Sequence, residues 1–99
     1  MNMKKTETTD QLPSGMKAMA DPTRLKILLM LEGQGRSVGE IVSFFHLSQP
    51  TITRHLQTLL AAGMVVRKRA GQQVLYELNA ENVKSFCVQL VGCFPCCCN

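Results

Sequence analysis

The chain has 99 residues and a mass of 11.0 kDa, which is the size of one small domain and excludes a two-domain enzyme with a cleft between its lobes. Hydrophobic residues make up 45% and charged residues 18%, so a disordered or collagen-like chain is excluded as well. The sequence holds no Trp, one Tyr and four Phe, and so small a core predicts that the domain pairs with a second copy of itself.

Positive charge is concentrated in one stretch of the chain. Eleven Lys and Arg against seven Asp and Glu give a net charge of +4. Residues 41–76 contain four of the basic residues and no acidic one, so the whole excess lies there. A segment of this kind favours a polyanionic partner, and nucleic acid is the commonest.

The sequence predicts a cytoplasmic protein with no membrane partner. No apolar stretch follows the polar amino-terminal residues, and the longest aliphatic run, residues 27–31, is too short to cross a bilayer. In the cytosol the five Cys are expected to be reduced thiols, which are available for metal, metalloid or redox chemistry.

The amino-terminal part of the chain predicts a flexible segment and two helices. Residues 1–12 are polar and expected to be frayed, and the folded domain is expected to cover residues 13–92. A first helix is expected to begin near Pro13. Asp21 and Pro22 begin the second, because the Asp side chain accepts an unpaired amide and Pro in the first turn loses no hydrogen bond. The apolar residues at helical spacing in this second helix are Leu25, Leu28 and Leu29.

Two short helices joined by a tight turn follow. Ser37 and Glu40 form a capping box that opens the first, which is expected to run for about two and a half turns. Its apolar stripe is Val38, Ile41, Val42 and Phe45. Ser48 is expected to cap the second helix and Gly63 to end it. The buried stripe of this helix is Ile52, Leu56, Leu59 and Leu60. Because its opposite face is polar, the pair is typical of a helix-turn-helix.

After Gly63 the apolar pattern changes from a helical period to alternation. Residues 70–72 predict the turn of a β-hairpin whose first strand is basic. A last helix is expected to follow Asn79, and its apolar face is Val83, Phe86, Cys87, Leu90 and Val91. The predicted fold is therefore mainly α with a β-hairpin wing, a winged helix-turn-helix.

Three segments form one pattern: ADPTRLKILLML, then LSQPTITRHLQTLLAAGMV, then a hairpin that ends in VLYELN. This pattern resembles the second helix, recognition helix and wing of the ArsR/SmtB family of bacterial metal-responsive repressors. The resemblance covers roughly residues 16–79. It implies a homodimer with a helical interface formed by the first and last helices, which occupies operator DNA and leaves when its ligand binds.

Polar residues on the predicted recognition helix and hairpin are the candidate DNA contacts. In the major groove Arg pairs with guanine and Gln with adenine, whereas basic residues of a wing bind phosphates or enter the minor groove. The alternative is that these polar residues are only a solvated face. The expected contacts are Ser48, Gln49, Thr51, Thr53, Arg54 and Gln57 on the helix and Arg67, Lys68, Arg69 and Gln72 on the hairpin.

The ligand sites that the resemblance implies are missing from this sequence. Arsenite-sensing members carry Cys-x-Cys at the start of the helix before the recognition helix, where this chain has Ser37 and Gly39. Zinc-sensing members use Asp and His pairs along the last helix, and this last helix contains no His. His55 is expected to be a packed histidine that satisfies a backbone group, and His46 lies in a turn, so neither is expected to bind metal.

The cysteines of residues 93–99 are the remaining candidate effector site. Thiolates are soft ligands, and trivalent arsenic or antimony needs three of them. The tail therefore predicts As(III) or Sb(III) as effector, with a soft metal ion (Cd, Pb or Cu(I)) or no effector as alternatives, and zinc is less favoured because the tail holds one Cys-x-x-Cys pair. Cys87 is expected to pack as a small hydrophobe. The expected ligands are Cys93, Cys96, Cys97 and Cys98.

Two other functions of the same fold stay open. A thiol-redox or reactive-sulfur-responsive repressor is the main alternative, because neighbouring Cys can form a disulfide or polysulfide. A DNA-binding protein without an effector is the other. An enzyme is not predicted, because neither His lies near the tail in sequence and no catalytic signature is present.

Overall fold

A computed structural model describes residues 14–92 and Phe94 of the chain. Within that part the chain forms helices and one antiparallel hairpin in the predicted order. The predicted flexible segment at residues 1–12 and the predicted cysteine ligands of the tail lie outside the described residues. The elements are α1 (Ser14–Met19), α2 (Pro22–Met30), α3 (Val38–Ser43), α4 (Gln49–Ala61), β1 (Val65–Ala70), β2 (Gln73–Leu78) and α5 (Ala80–Gly92). None of these helices has the length and apolar character that a membrane span requires.

Side chains at the helix starts confirm the predicted caps. Asp21 accepts two backbone N–H groups at the start of α2. Ser37 and Glu40 form the reciprocal capping box of α3, and Ser48 accepts one N–H at the start of α4. Each cap satisfies N–H groups that have no partner within the helix, so the starts of all three helices are determined locally.

The core lies between α2, α3, α4 and the base of the hairpin. The predicted stripe of α4 is buried except for Leu60, which is half-buried. The fully buried residues of α3, α4 and the hairpin base are Ile41, Ile52, Leu56, Leu59, Met64 and Val65. Burial on this side of α4 leaves the opposite side of the helix to solvent.

α2 turns a different face to the core than the sequence predicts. Leu28 is buried as expected, but Ile27 and Leu31 accompany it, whereas Leu25 and Leu29 remain 42% and 63% exposed. Two overlapping apolar stripes satisfy the helical period in this segment, and the packing of α4 against α2 selects one of them. The other stripe faces outwards.

α3 is shorter than predicted. It has six residues and ends at Ser43, so it does not reach Phe45. The Phe44 N–H donates to Ile41 O at 3.0 Å, a bond of the type that tightens and ends a last turn. Phe45 still packs against the core from the following turn.

The hairpin forms the predicted wing. Its turn residues are Gly71 and Gln72, and Gly71 has a φ of +65°, a conformation that Gly adopts without steric cost. The base of the hairpin is buried at Val65 and Tyr76, while its tip is exposed. The wing therefore projects from the core into solvent.

Hydrogen bonds connect the beginning of α5 to the end of α4. The Nδ2 atoms of Asn79 and Asn82 both donate to Gly63 O, at 3.0 and 2.8 Å. The Asn79 N–H donates to Met64 O at 2.9 Å. These bonds join α5 to the junction between α4 and the wing.

Candidate nucleic-acid interface

The DNA contacts predicted on the recognition helix lie on the side of α4 that faces solvent, which is called the reading side below. Arg54 and Gln57 are exposed, and Thr51 and Thr53 are half-buried. One shallow surface recess is lined by Gln49, Pro50, Thr53, Arg54 and Gln57. Four of the six predicted helix contacts are thus brought together in one place, with the N-terminal end of α4 beside them.

Ser48 and Thr51 are engaged with each other at the start of α4. The Ser48 Oγ accepts the Thr51 N–H at 3.3 Å and lies 3.0 Å from Thr51 Oγ1. A hydroxyl group has one donor hydrogen and two acceptor lone pairs, so the pair keeps some capacity for further bonds. Ser48 is exposed, which leaves it accessible to a partner while it caps the helix.

The basic residues of the wing divide between its two faces. Successive side chains of a strand point to opposite sides, so Arg67 and Arg69 share one face and Lys68 lies on the other. The Lys68 Nζ is 3.2 Å from Glu77 Oε1 on β2. The acid-free stretch of sequence ends just before Glu77, so only the pairing of the strands reveals that a carboxylate partly neutralises Lys68.

Three cations of the interface have no anionic partner within the described part of the chain. Arg54, Arg67 and Arg69 are exposed, and none of them pairs with a carboxylate there. Gln72 is exposed at the hairpin turn beyond them. Neutralising a DNA phosphate with such a cation releases condensed counterions, which is favourable at moderate salt. The arrangement therefore suits a phosphate-bearing partner.

Arg36 holds the loop before α3, and no sequence signal distinguishes it from the arginines of the wing. Its backbone forms an antiparallel bridge with Tyr76, with N···O distances of 2.9 and 2.8 Å. Its Nε donates to Met30 O at 3.1 Å, and its guanidinium carbon lies 5.4 Å from the centroid of the Phe44 ring. This cation joins α2, α3 and β2 and is structural.

The histidines and the described thiol are placed differently from expectation in two respects. His55 contacts the side chain of Arg24 rather than a backbone group. Cys87 is an exposed free thiol rather than a packed residue, because nothing in the described part of the chain covers that side of α5. No group of three or more His, Cys, Asp or Glu side chains in the described part of the chain could hold a metal ion. The predicted ligands Cys93, Cys96, Cys97 and Cys98 lie outside it.

An apolar surface extends over α1, α2 and α5. The predicted stripe of α5 is split, because Val83 and Phe86 pack against the core while Leu90 and Val91 remain 47% and 48% exposed. A cavity of about 370 Å³ opens on this surface and is lined by Met16, Met19, Ala20, Leu25, Phe86, Cys87 and Leu90. The outward stripe of α2 continues the same surface. Exposed apolar surface is typical of protein–protein contact sites.

Known bacterial regulators are similar to this chain in sequence. The family described as "Bacterial regulatory protein, arsR family" matches residues 21–66. The HTH-type transcriptional repressor SmtB of Mycobacterium tuberculosis is 40% identical over 72 residues, which are 73% of this chain and 53% of that protein. The chain thus spans about half the length of this relative. The arsenical resistance operon repressor of Staphylococcus xylosus is 31% identical over 71 residues, which are 72% of this chain and 68% of that protein.

A solved structure shares the fold. The homodimeric winged helix-turn-helix DNA-binding domain Mb0332 from Mycobacterium bovis superposes with a TM-score of 0.69 at 30% sequence identity. The match covers 93% of this chain and 87% of that one. The fold is a winged helix-turn-helix, and the chain belongs to the arsR family of bacterial regulatory proteins.

Proposed function

We propose that the protein is a dimeric transcriptional repressor that binds operator DNA through α4 and the wing, and that As(III) or Sb(III) releases it by binding thiolates of the tail. The observation that carries the DNA part is the exposed polar side of α4, where Arg54 lacks an anionic partner among the described residues. Membership of the arsR family and the repressor names of two relatives support it.

In this proposal α4 reads bases and the wing supplies affinity. The major groove admits an α-helix, and an Arg side chain there pairs with both acceptors of guanine, while Gln pairs with adenine. Arg54 and Gln49 line the exposed recess on α4 that would face the groove. Arg67 and Arg69 on one face of the hairpin would bind phosphates, which adds affinity without sequence preference.

Dimerisation would place two copies of α4 on successive turns of the duplex. Helix-turn-helix dimers bind half-sites about 34–36 Å apart, so both reading helices must be held at that spacing. The apolar surface on α1, α2 and α5 offers a symmetric interface, and the homodimeric state of Mb0332 supports its use. The tail directly follows α5, and a ligand bound there would therefore act on the helix that we place at the interface.

The effector is proposed from the chemistry of the tail. Three thiolates match a pyramidal As(III) or Sb(III) centre, and Cys93, Cys96, Cys97 and Cys98 supply four within six residues. The arsenical resistance named for the Staphylococcus xylosus relative supports a metalloid effector. Cys87, one helical turn from Leu90 on the apolar surface, is not needed for such a site.

The DNA proposal predicts different defects for two arginines. Arg54→Ala is expected to lose about 1–3 kcal/mol of discrimination between operator and random duplex, because a bidentate contact to a base is removed. Arg67→Ala is expected to weaken both complexes similarly and to lower the salt dependence by about one phosphate contact. Fluorescence anisotropy titrations at several salt concentrations measure both effects. Unchanged specificity in Arg54→Ala would show that the reading side of α4 is placed wrongly.

The interface proposal predicts that one charge on the apolar surface disrupts the dimer. Leu90→Glu is expected to sediment as a monomer at micromolar concentration, because dimerisation would bury an unpaired carboxylate at a cost of about several kcal/mol. Val74→Glu is the matched control, because Val74 is 40% exposed on the wing and Leu90 is 47% exposed on α5. A wild-type monomer, or a Leu90→Glu dimer of wild-type strength, would contradict the proposed interface.

A further inference from the structure

Arg24, in the first turn of α2, contacts the two neighbouring helices through its side chain. Its Nε donates to Ala18 O at 2.6 Å, and its Nη2 donates to Lys17 O at 3.4 Å, both near the end of α1. Its Nη1 lies 3.3 Å from Nδ1 of His55 on α4. One guanidinium thus connects α1 to α4 across the start of α2.

Each end of this connection has a physical reason. The last carbonyl groups of a helix have no partner within it, and a cation placed there satisfies them and interacts favourably with the helix dipole. Within the described part of the chain α1 has six residues, and so short a helix depends on such outside contacts. His55 is half-buried and directly precedes Leu56, which is fully buried in the core. A contact at His55 therefore acts on the side of α4 that packs against the core and not on its reading side.

We propose that Arg24 is a positioning residue for operator binding. It fixes the position of α4 relative to α1 through a hydrogen bond to neutral His55. This hydrogen bond is lost when His55 is protonated. This inference rests on the proposed operator binding. A neutral imidazole with its proton on Nε2 accepts the Arg24 N–H at Nδ1. The imidazolium carries hydrogens on both nitrogens, so the hydrogen bond is lost and two cations face each other.

The other charged groups around His55 do not reverse this sign. Ionised Asp21 attracts an imidazolium, which opposes this loss in part. Its carboxylate is engaged as the cap of α2, however, where it accepts the Arg24 and Thr23 N–H groups at 3.0 and 2.8 Å, and the Arg24 bond is the main reason that the pKa of Asp21 is lowered. Lys17 on α1 and Arg54 on α4 are further cations. The remaining charges on elements packed against α4 are Lys26 of α2, Glu40 of α3, which is bonded to the Ser37 N–H, and Arg67, Lys68 and Arg69 of β1. In general, histidine is the side-chain type whose charge changes between about pH 5 and 8.

The pH dependence has a sign that a purely electrostatic effect on DNA would not produce. Protonating a histidine adds positive charge, which by itself strengthens binding to DNA. Loss of the Arg24–His55 contact predicts the opposite: operator affinity falls as pH falls. Because a single hydrogen bond is lost in each subunit, the fall is expected to be about three- to tenfold between pH 8 and pH 5.5.

The test is an operator titration by fluorescence anisotropy with the intact dimeric chain across this pH range. His55→Gln keeps an acceptor for Arg24 without a titrating group, so it is expected to match wild type at pH 8 and to show no fall. Arg24→Gln is expected to bind more weakly at pH 8 and also to show no fall, with Arg24→Lys between it and wild type at pH 8. His46→Gln is the control, because His46 is exposed in the turn before α4 and its loss should leave the fall in place.

Thermal unfolding and sedimentation of each variant at each pH confirm that folded dimers are compared. If wild type binds the operator at pH 8 and its affinity falls equally in His55→Gln, or does not fall at all, the role of Arg24 is overturned while the proposed function stands. If wild type distinguishes no duplex from random DNA at any pH, the proposed function fails and this inference with it.

Discussion

A chain that ends at Gly92 is expected to bind operator DNA as tightly as the intact chain and to ignore arsenite. The described interface residues on α4 and the wing all lie before that point, so their contacts remain. The proposed ligands Cys93, Cys96, Cys97 and Cys98 are removed together. The effect is large because the whole response is lost while DNA binding is kept.

The size of the response follows from the coupling between two linked sites. Coupling free energies are typically about 1–3 kcal/mol, so arsenite is expected to lower the operator affinity of the intact protein by about five- to 150-fold. By reciprocity, the free protein must bind arsenite more tightly than the DNA complex by the same factor. Anisotropy titrations under strict anaerobic reduction, with and without arsenite, measure the coupling. Cys87→Ser is expected to respond almost as wild type does.

A full-length variant with Ser at positions 93, 96, 97 and 98 is the matched control, since it keeps the length of the tail and loses only its thiols. Release of either tail variant by arsenite would place the sensor elsewhere in the chain. If the intact protein ignores arsenite under reduction but leaves DNA after oxidation or polysulfide treatment, the effector proposal is wrong and the repressor is thiol-redox-responsive. No response to any of these reagents would indicate a DNA-binding protein without an effector.

Gly63→Ala is expected to destabilise the fold by about 2–3 kcal/mol, because two costs add at one position. Gly63 has a φ of +77°, and its N–H bonds Leu60 O while the Met64 N–H bonds Leu59 O, a Schellman end of α4. A Cβ there would lie 2.7 Å from Asn82 Nδ2. Asn82 would have to move and give up its 2.8 Å bond to Gly63 O.

Gly33→Ala is the matched control for this prediction. Gly33 has a φ of +78°, yet a Cβ built on it meets no atom within 4 Å, so it carries the backbone cost alone, about 1–2 kcal/mol. Urea unfolding at a fixed protein concentration measures both variants, since dimer stability depends on concentration. The double variant Gly63→Ala/Asn82→Ala is expected to lose less free energy of unfolding than the sum of the losses in Gly63→Ala and Asn82→Ala. Equal losses in Gly33→Ala and Gly63→Ala would show that the Asn82 contact contributes nothing.

Local signals explain why so much of the fold is predictable. The caps at Asp21, Ser37 and Ser48 use bonds between residues two or three apart, and the structure confirms them. The end of α4 at Gly63 and the turn at Gly71 require positive φ, which Gly adopts without steric cost. These interactions do not depend on residues that are distant in sequence. The helix starts, the helix-turn-helix and the wing can therefore be predicted from the local sequence.

The sequence by itself thus determined the order of elements, the polar side of α4 and the basic wing, while the tertiary structure decided which faces meet. α2 offers two apolar stripes of equal period, and only the packing of α4 buries Ile27 and leaves Leu29 outside. Lys68 pairs with Glu77, 9 positions away in sequence, and Arg24 contacts His55, 31 positions away. Such pairs depend on the register of a hairpin and on the angle between two helices, and both arise only when all buried surfaces pack together.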